Sequence, residues 1–170
     1  MSIESLTVAG IMIKDVKTAK ENQTVKAIAR IMNENEIGSV VIVKITDADK
    51  AVGIVTERDV VRMAGATQVL TLQTPVRDIM SKPVITIEAT GSIKDAIQAM
   101  ELNNFRRLPV VDKEKKIVGI ITDKDIFRAI MKSQSLITSI SGSVIVECRP
   151  VYERFSEFVL DEMLLPGGRQ

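Results

Sequence analysis

The sequence predicts a mixed α+β fold in which two copies of one β-α-β-β-α unit pack about a pseudo-two-fold axis. The first sign is an internal repeat, because residues 53–62 return as residues 119–128 with five of ten positions identical. A second match, residues 8–19 with residues 76–87, has six of twelve positions identical. Homologous halves joined in this way create equivalent clefts between them, and such clefts commonly hold small ligands.

Each copy begins with a short extended segment followed by an amphipathic helix. The extended segments lie around residues 16–18 and 84–87, and Thr24 and Ser92 are typical N-cap residues. Behind each cap, apolar residues recur at i, i+3, i+4 and i+7, so we expect both stripes to face a core. These residues are Val25, Ile28, Ala29 and Met32 in the first copy and Ile93, Ala96, Ile97 and Met100 in the second.

A strand pair and a second helix complete each copy. The first strands cover residues 39–43 and 108–111, and polar turns connect them to second strands that end at Thr56 and Thr122. Apolar residues then indicate a second amphipathic helix. They are Val60 and Val61 in the first copy and Ile126, Phe127 and Ile130 in the second.

Gly53 and Gly119 interrupt the second strands. A glycine inside a strand indicates either close packing of another backbone or clearance for a ligand, and the sequence leaves both explanations open.

We divide the chain into repeat 1 (residues 8–66), a linker (67–75), repeat 2 (76–132) and a C-terminal extension (133–170). The sequence of the extension predicts one strand over residues 143–148, followed by an amphipathic helix. That helix either packs on the repeats or on a second subunit, or docks on an effector protein. Its apolar residues are Tyr152, Phe155, Phe158, Val159 and Met163.

Composition limits the chemistry that the chain supports. The 170 residues are 45% hydrophobic and include one cysteine, Cys148, so we expect a core that needs neither a disulfide nor a metal. Histidine, the commonest metal ligand and acid–base group near neutral pH, does not occur, and we predict no metal site and no enzyme activity. No apolar run approaches the ~20 residues of a membrane span, and the first residues lack a signal-peptide pattern, so we expect a cytoplasmic protein.

Three motifs carry a family resemblance. They are Gly53-Ile-Val-Thr-Glu-Arg-Asp59, Asp78-Ile-Met-Ser-Lys-Pro-Val84 and Arg106-Arg-Leu-Pro-Val-Val-Asp112. In this order they resemble the CBS domain, named after cystathionine β-synthase, and the tandem copies resemble a CBS pair, or Bateman module. The resemblance implies a regulatory sensor that binds AMP, ADP, ATP or S-adenosylmethionine and transmits occupancy to a partner or oligomer. It also implies a homodimer.

The resemblance assigns roles to the repeated Gly-x-x-Thr-x-x-Asp motif. It implies that Thr56 and Asp59, and likewise Thr122 and Asp125, bind the ribose and phosphate of the nucleotide. It further implies that the backbone before the first helix of each copy contacts the edge of the adenine. The backbone residues concerned are Val16, Lys17, Thr18, Val84, Ile85 and Thr86.

These residue types suit a nucleotide. A carboxylate offers two acceptor oxygens to the two adjacent hydroxyl groups of a ribose. The helix after each threonine presents unpaired N–H groups and the positive end of its dipole to a phosphate, with Arg58 and Lys124 in the first turn. Thr-x-x-Asp is also a variant of the capping box, which starts a helix without any ligand, and the sequence leaves both roles open.

Arg106 and Arg107 precede the first strand of the second copy. They form either a solvated charged pair or, as the resemblance implies, a contact to the ligand phosphate. The corresponding positions of the first copy are Gly38 and Ser39, so the two clefts differ. We therefore expect the site of Asp125 to bind more tightly.

Two other functions remain open. The second copy is locally basic and suits nucleic acid, although the formal net charge of +1 gives no overall field. Its basic residues are Arg106, Arg107, Lys113, Lys115, Lys116, Lys124, Arg128 and Lys132. A purely structural dimerisation module is the third hypothesis. We favour the sensor, with an adenine nucleotide as regulatory ligand and no other cofactor required.

Overall fold

The computed structural model describes residues 6–66 and 72–138. Contacts divide the chain into two units, Met1–Ile130 and Met131–Gln170, and both β-sheets lie in the first. A 3₁₀ turn, Val76–Asp78, precedes the second sheet. The elements in chain order are α1 (Val8–Ile11), β1 (Thr18–Lys20), α2 (Val25–Glu34), β2 (Ser39–Val43), β3 (Ala51–Thr56), α3 (Glu57–Ala66), β4 (Ile87–Glu88), α4 (Ile93–Asn103), β5 (Arg107–Val111), β6 (Ile117–Thr122) and α5 (Asp123–Thr138).

Each repeat folds into its own three-stranded sheet. In the first sheet, β1 pairs parallel with β2 and β2 pairs antiparallel with β3, and β4, β5 and β6 repeat this arrangement. Even the irregularity recurs, because the register shifts after Ile42 in one sheet and after Val110 in the other. The predicted α+β fold with two β-α-β-β-α halves is confirmed.

Thr24 and Ser92 cap the first long helix of each repeat, as predicted. Thr24 Oγ1 accepts a hydrogen bond from the Ala27 N–H at 3.3 Å. At Ser92 the capping box is reciprocal: Ser92 Oγ accepts from the Asp95 N–H and the Asp95 carboxylate accepts from the Ser92 N–H, both at 3.1 Å. These bonds satisfy N–H groups that the first helical turn leaves without partners.

The apolar stripes behind the caps enter two separate cores. Ile28 and Met32 are buried in the core of the first sheet, and Ile93 and Met100 are buried in the core of the second. In both repeats the central strand supplies the other face of the core, because nearly all of its residues are buried. The helix periodicity therefore identified the buried residues that the first long helix contributes to each core, while the strands and the first turn of the other repeat supply the rest.

Two residues of the predicted amphipathic helices are exposed. Ile97 is 39% exposed, because the buried residues of α4 follow i, i+3 and i+7 and leave the i+4 position at the edge of a narrow stripe. Val61 is 69% exposed, whereas its neighbour Val60 packs against the first core. Adjacent helix residues point about 100° apart, so only one of the two valines faces the core.

The first turn of each repeat packs on the other repeat. Val8 is fully buried among the core residues of the second sheet, and Val76 is fully buried among those of the first. The Val8 N–H donates to the Gly91 carbonyl at 2.9 Å, and the Val76 N–H donates to the Gln23 carbonyl at 2.7 Å. Neither core is complete without a segment of the other repeat.

We call residues 8–13 and 76–81 the exchanged segments, because each packs on the sheet of the other repeat. Each exchanged segment adds a backbone bridge to the edge strand of that sheet. Ile54 in β3 and Ser81 exchange two backbone hydrogen bonds of 3.2 and 2.9 Å. Ile13 and Ile120 in β6 exchange two of 2.9 Å. The two repeats are thus connected by backbone hydrogen bonds as well as by apolar packing.

Gly53 and Gly119 permit this close approach. A Cβ atom at Gly53 would lie 2.5 Å from Met80 Sδ, and one at Gly119 would lie 2.5 Å from Met12 Sδ. Both distances are far below van der Waals contact. Close packing of the exchanged segment therefore accounts for the two glycines.

The first strand of each repeat begins later than predicted. β1 begins at Thr18 and β4 at Ile87, so residues 16–17 and 84–86 precede the strands. The reason lies in the exchange, because the chain crosses from one sheet at Ile13 to the other at Thr18. Strand pairing starts only once the crossing is complete.

Several predicted segments lie outside the described residues. They are the strand over residues 143–148, the helix from Tyr152 to Met163, and residues 67–71 of the linker. Of the remaining linker residues, Leu72 and Thr74 accept backbone hydrogen bonds from Lys26 and Val25 at 3.0 and 2.9 Å.

Replacing Gly119 with alanine should lower the free energy of unfolding by about 1–3 kcal/mol, because the new methyl group meets Met12 and the crossing backbone. Urea denaturation followed by circular dichroism measures the change. Gly65→Ala in α3 is the matched control, since nothing lies within 4 Å of its added methyl group. Equal stability of the two variants would contradict the close-packing explanation.

Candidate functional site

The two Thr-x-x-Asp motifs form the same hydrogen-bonded turn at the starts of α3 and α5. Asp59 Oδ2 accepts from the Thr56 N–H at 2.8 Å and from its hydroxyl at 2.7 Å. Asp125 Oδ2 accepts from the same groups of Thr122 at 3.0 and 2.6 Å. Each threonine oxygen accepts in turn from the aspartate N–H, at 3.4 and 3.3 Å. The capping role that the sequence left open is therefore present in both repeats.

The cap hydrogen bonds converge on one oxygen of each carboxylate, Oδ2. The other oxygen of Asp125, Oδ1, lies 3.6 Å from Arg128 Nη1. The Arg128 side chain is 71% exposed, so this ion pair contributes little. A carboxylate has about four acceptor positions, and each aspartate retains capacity for the hydroxyl groups of a ligand while it caps the helix. Capping and ribose binding are compatible.

The two turns differ in burial. The Asp125 side chain is 9% exposed, whereas Asp59 is half-buried. Arg58 and Lys124 lie in the first turns of their helices, as predicted, and both are exposed. Each helix start thus combines a sheltered acid with a cation at the surface.

In the second repeat, the sheet brings the predicted arginine pair next to the motif. Arg107 is the cross-strand partner of Thr122. The Arg106 carbonyl accepts from the Asp123 N–H at 3.0 Å, which holds the start of α5 against the start of β5. In the sequence these residues are about 15 positions apart, and only the antiparallel register makes them neighbours.

In the first repeat, the same positions have little or no side chain. Ser39 is the cross-strand partner of Thr56, and the Gly38 carbonyl accepts from the Glu57 N–H at 3.2 Å. The backbone geometry is therefore preserved while the charge is absent.

The Arg107 side chain extends from the second repeat to the first. A Cβ atom at Gly38 would lie 3.4 Å from Arg107 Nη1 and 3.2 Å from Glu57 Oε2. The guanidinium group is therefore at the start of α3, although the Arg107 backbone adjoins α5. Arg107 belongs to both helix starts, and the arginine pair is not a feature of the Asp125 site alone.

Charges of both signs surround the guanidinium group. Burial lowers the pKa of Arg107, while the carboxylates of Asp123 and Glu57 raise it and the cations of Arg106 and Arg58 lower it. Arginine remains protonated in proteins despite such effects. The permanent positive charge of Arg107 thus interacts with the first residues of both helices.

Sequence reasoning missed Glu57 and Asp123 as part of this cluster. Both directly follow the motif threonine, and both are acidic, so the repeat itself contained the signal. Their relation to Arg107 was hidden because it depends on how the two repeats face each other.

The segments expected to contact adenine lie where the chain crosses between the sheets. The Lys17 carbonyl accepts from the Val41 N–H at 3.2 Å, and Lys17 Nζ is 3.0 Å from the Asp15 carboxylate. Ile85 packs against the second core. Their role toward a ligand stays a prediction.

Acidic partners offset part of the basic surface of the second repeat. Lys115 Nζ lies 2.6 Å from Glu88, and its hydrogen bond and charge lower the pKa of that carboxyl. Lys116 Nζ lies 4.0 Å from Asp49. The patch is therefore less positive than its sequence indicates, which weakens the nucleic-acid hypothesis.

Among the described residues, no cluster of three acidic or cysteine side chains is arranged to hold a metal ion. Nor does any helix in the described ranges have the length and apolarity to cross a membrane. An open concavity of about 490 Å³, lined by β1, residues 22–23, Val43 and Ala48, lies at the opposite end of β2 from the motif.

Comparison with known proteins gives a consistent result. A family model described as CBS domain matches residues 8–65 and again residues 76–132. The uncharacterized protein MK0525 of Methanopyrus kandleri is 39% identical over 126 residues, which are 74% of this chain and 63% of the relative. The uncharacterized protein MJ1232 of Methanocaldococcus jannaschii is 36% identical over 129 residues, 76% of this chain and 41% of the relative. The chain thus spans less than two thirds of these relatives.

Solved structures show the same fold. The CBS domain pair of protein MJ0100, crystallised with 5′-methylthioadenosine and S-adenosyl-L-methionine, has a TM-score of 0.66 and 27% identity and covers 75% of this chain and 98% of its own. The CBS domain protein TA0289 of Thermoplasma acidophilum, of unknown function, has a TM-score of 0.66 and 29% identity and covers 72% and 68%.

Replacing Asp125 with alanine should lower the free energy of unfolding by about 0.5–2 kcal/mol, because both hydrogen bonds from Thr122 are lost. Asp125→Asn should retain most of the stability, since its amide oxygen still accepts from Thr122. Urea denaturation of both variants measures the difference. An equal loss in the two variants would show that charge, rather than capping, makes Asp125 important for stability.

Proposed function

Because the chain belongs to the CBS domain family, with one match in each repeat, we propose that it is a regulatory module that binds an adenosine nucleotide or related adenosine ligand. The ligand occupies the helix starts at Thr56 and Asp59 and at Thr122 and Asp125. The observation that carries the proposal is the duplicated cap, in which carboxylate, hydroxyl and helix N-terminus converge beside an arginine.

Each group of the cap has a partner in such a ligand. The ribose diol donates to the aspartate oxygen that the cap leaves with acceptor capacity. Phosphate, where present, is attracted by the positive end of the helix dipole and by Arg107. The ligands crystallised with the MJ0100 pair share an adenosine moiety, which supports this class.

We propose a regulatory rather than a catalytic role. The groups at the helix starts bind and position a ligand, and the sequence contains no histidine to act as a general base. We also propose a cytoplasmic location, where adenine nucleotides are abundant. We also propose that a partner receives the signal of ligand binding. The relatives are longer than this chain, so their lengths do not identify that partner.

Isothermal titration with AMP, ADP, ATP and S-adenosylmethionine, each beside its 2′-deoxy analogue, tests the ribose contact. Loss of the 2′-hydroxyl should weaken binding by about 1–3 kcal/mol, because an aspartate acceptor loses its partner. Equal affinity of ribose and deoxyribose forms would contradict the assignment of Asp59 and Asp125.

The double variant Asp59→Asn and Asp125→Asn should weaken binding without unfolding the protein. Asp95→Asn is the matched control, since it makes the same change in a capping box outside both motifs. An equal loss of affinity in the control would move the site away from the motifs.

We further propose that occupancy is transmitted through association of the exposed helix surfaces, as a homodimer or with an effector protein. Leu102 of α4 is 86% exposed, and Val61 of α3 is also largely exposed. Large exposed apolar patches mark interaction surfaces, and these two side chains are the candidate contributors to such surfaces.

Sedimentation velocity should give the mass of a dimer and a change in sedimentation coefficient on saturation with AMP. A monomer whose coefficient does not change with ligand would contradict homodimer transmission.

A further inference from the structure

The chain has one arginine pair, Arg106 and Arg107, for two helix starts. The register places Arg107 opposite Thr122, and the guanidinium group lies at Gly38 and Glu57, beside the other motif. One side chain therefore adjoins both candidate sites.

The first repeat has no cation at the positions equivalent to Arg106 and Arg107. Ser39 occupies the position that corresponds to Arg107, and Gly38 the position that corresponds to Arg106. Gly38 also leaves the space that the guanidinium group enters, because a Cβ atom there would lie 3.4 Å from Arg107 Nη1. The difference between the repeats thus creates the shared position of Arg107.

Negative charge limits how many phosphates this junction accepts. Glu57 and Asp123 are the first residues of α3 and α5, and their charges already act on Arg107. A phosphate at either start meets one of these carboxylates, and Arg107 is the arginine that adjoins both starts. Glu57, Arg58 and Lys124 are all exposed, so solvent and salt screen their charges more than that of Arg107, which is partly buried.

We infer that the two helix starts compete for Arg107, so that the chain binds one phosphorylated adenosine ligand tightly and a second one more weakly, whereas an adenosine ligand without phosphate occupies both starts with similar affinity. This inference rests on the proposed function and adds a rule for occupancy. Binding of a phosphorylated ligand at one start orients Arg107 toward it and leaves the second start with uncompensated acidic groups.

The wild-type protein alone provides the first test. Calorimetric titration with AMP should give one tight site per chain and a second at least about 10-fold weaker, because a charge-assisted hydrogen bond contributes roughly this factor or more. Titration with uncharged 5′-methylthioadenosine should give two sites per chain of similar affinity. Two equal and independent AMP sites would overturn the inference while leaving the proposed function intact.

Variants of Arg107 provide the second test. Arg107→Gln should weaken tight AMP binding about 10- to 100-fold and change the affinity for 5′-methylthioadenosine less than about 3-fold. Lys26→Gln, at an exposed position of α2, removes the same charge elsewhere and should change neither. Unchanged AMP affinity and stoichiometry in Arg107→Gln would overturn the shared role of Arg107.

The outcomes separate this inference from the proposed function. Absence of binding by every adenosine ligand, including 5′-methylthioadenosine, would overturn the proposed function and the inference with it. Two sites for 5′-methylthioadenosine together with two equal sites for AMP would overturn the inference alone.

Discussion

The crossing of the exchanged segments over Gly53 and Gly119 is the constraint on which the rest of the structure depends. Each crossing adds paired backbone hydrogen bonds of about 3 Å to an edge strand, next to a glycine at which a Cβ atom would clash with the crossing segment. Because each segment also delivers a buried valine to the opposite core, the repeats form one folded unit. Both motif-bearing strands, β3 and β6, contribute an edge to this junction, and the Arg107 side chain reaches across it.

In the proposed function, the aspartate of each motif links the stability of the helix start to ligand recognition. Its Oδ2 atom holds the first helical turn, and this fixes the rotamer that presents the other oxygen. A ligand therefore meets a side chain that is already ordered, which reduces the entropy cost of binding. For the same reason, loss of binding in an alanine variant is ambiguous, and asparagine is the more informative substitution.

Local features of the fold could be predicted from the sequence, and features that depend on the packing of the two repeats could not. The Thr24 cap and the Thr-x-x-Asp turns depend on residues within one helical turn, so sequence spacing was sufficient. The burial of Val8 in the other repeat depends on where the chain crosses, which a repeat pattern does not encode. The exposure of Ile97 depends on the width of the core, and the reach of Arg107 depends on a glycine in a different repeat.

Amide chemical shifts in a ¹H–¹⁵N spectrum recorded with increasing AMP test the central claim most directly. The Thr56 and Thr122 amides donate to the motif aspartates, so a ligand that binds these carboxylates alters their environment. The account predicts that the largest shifts occur at one or both of these amides and at the Arg107 side chain. Shifts confined to the concavity near Val43 and Ala48, with Thr56 and Thr122 unchanged at saturation, would contradict it.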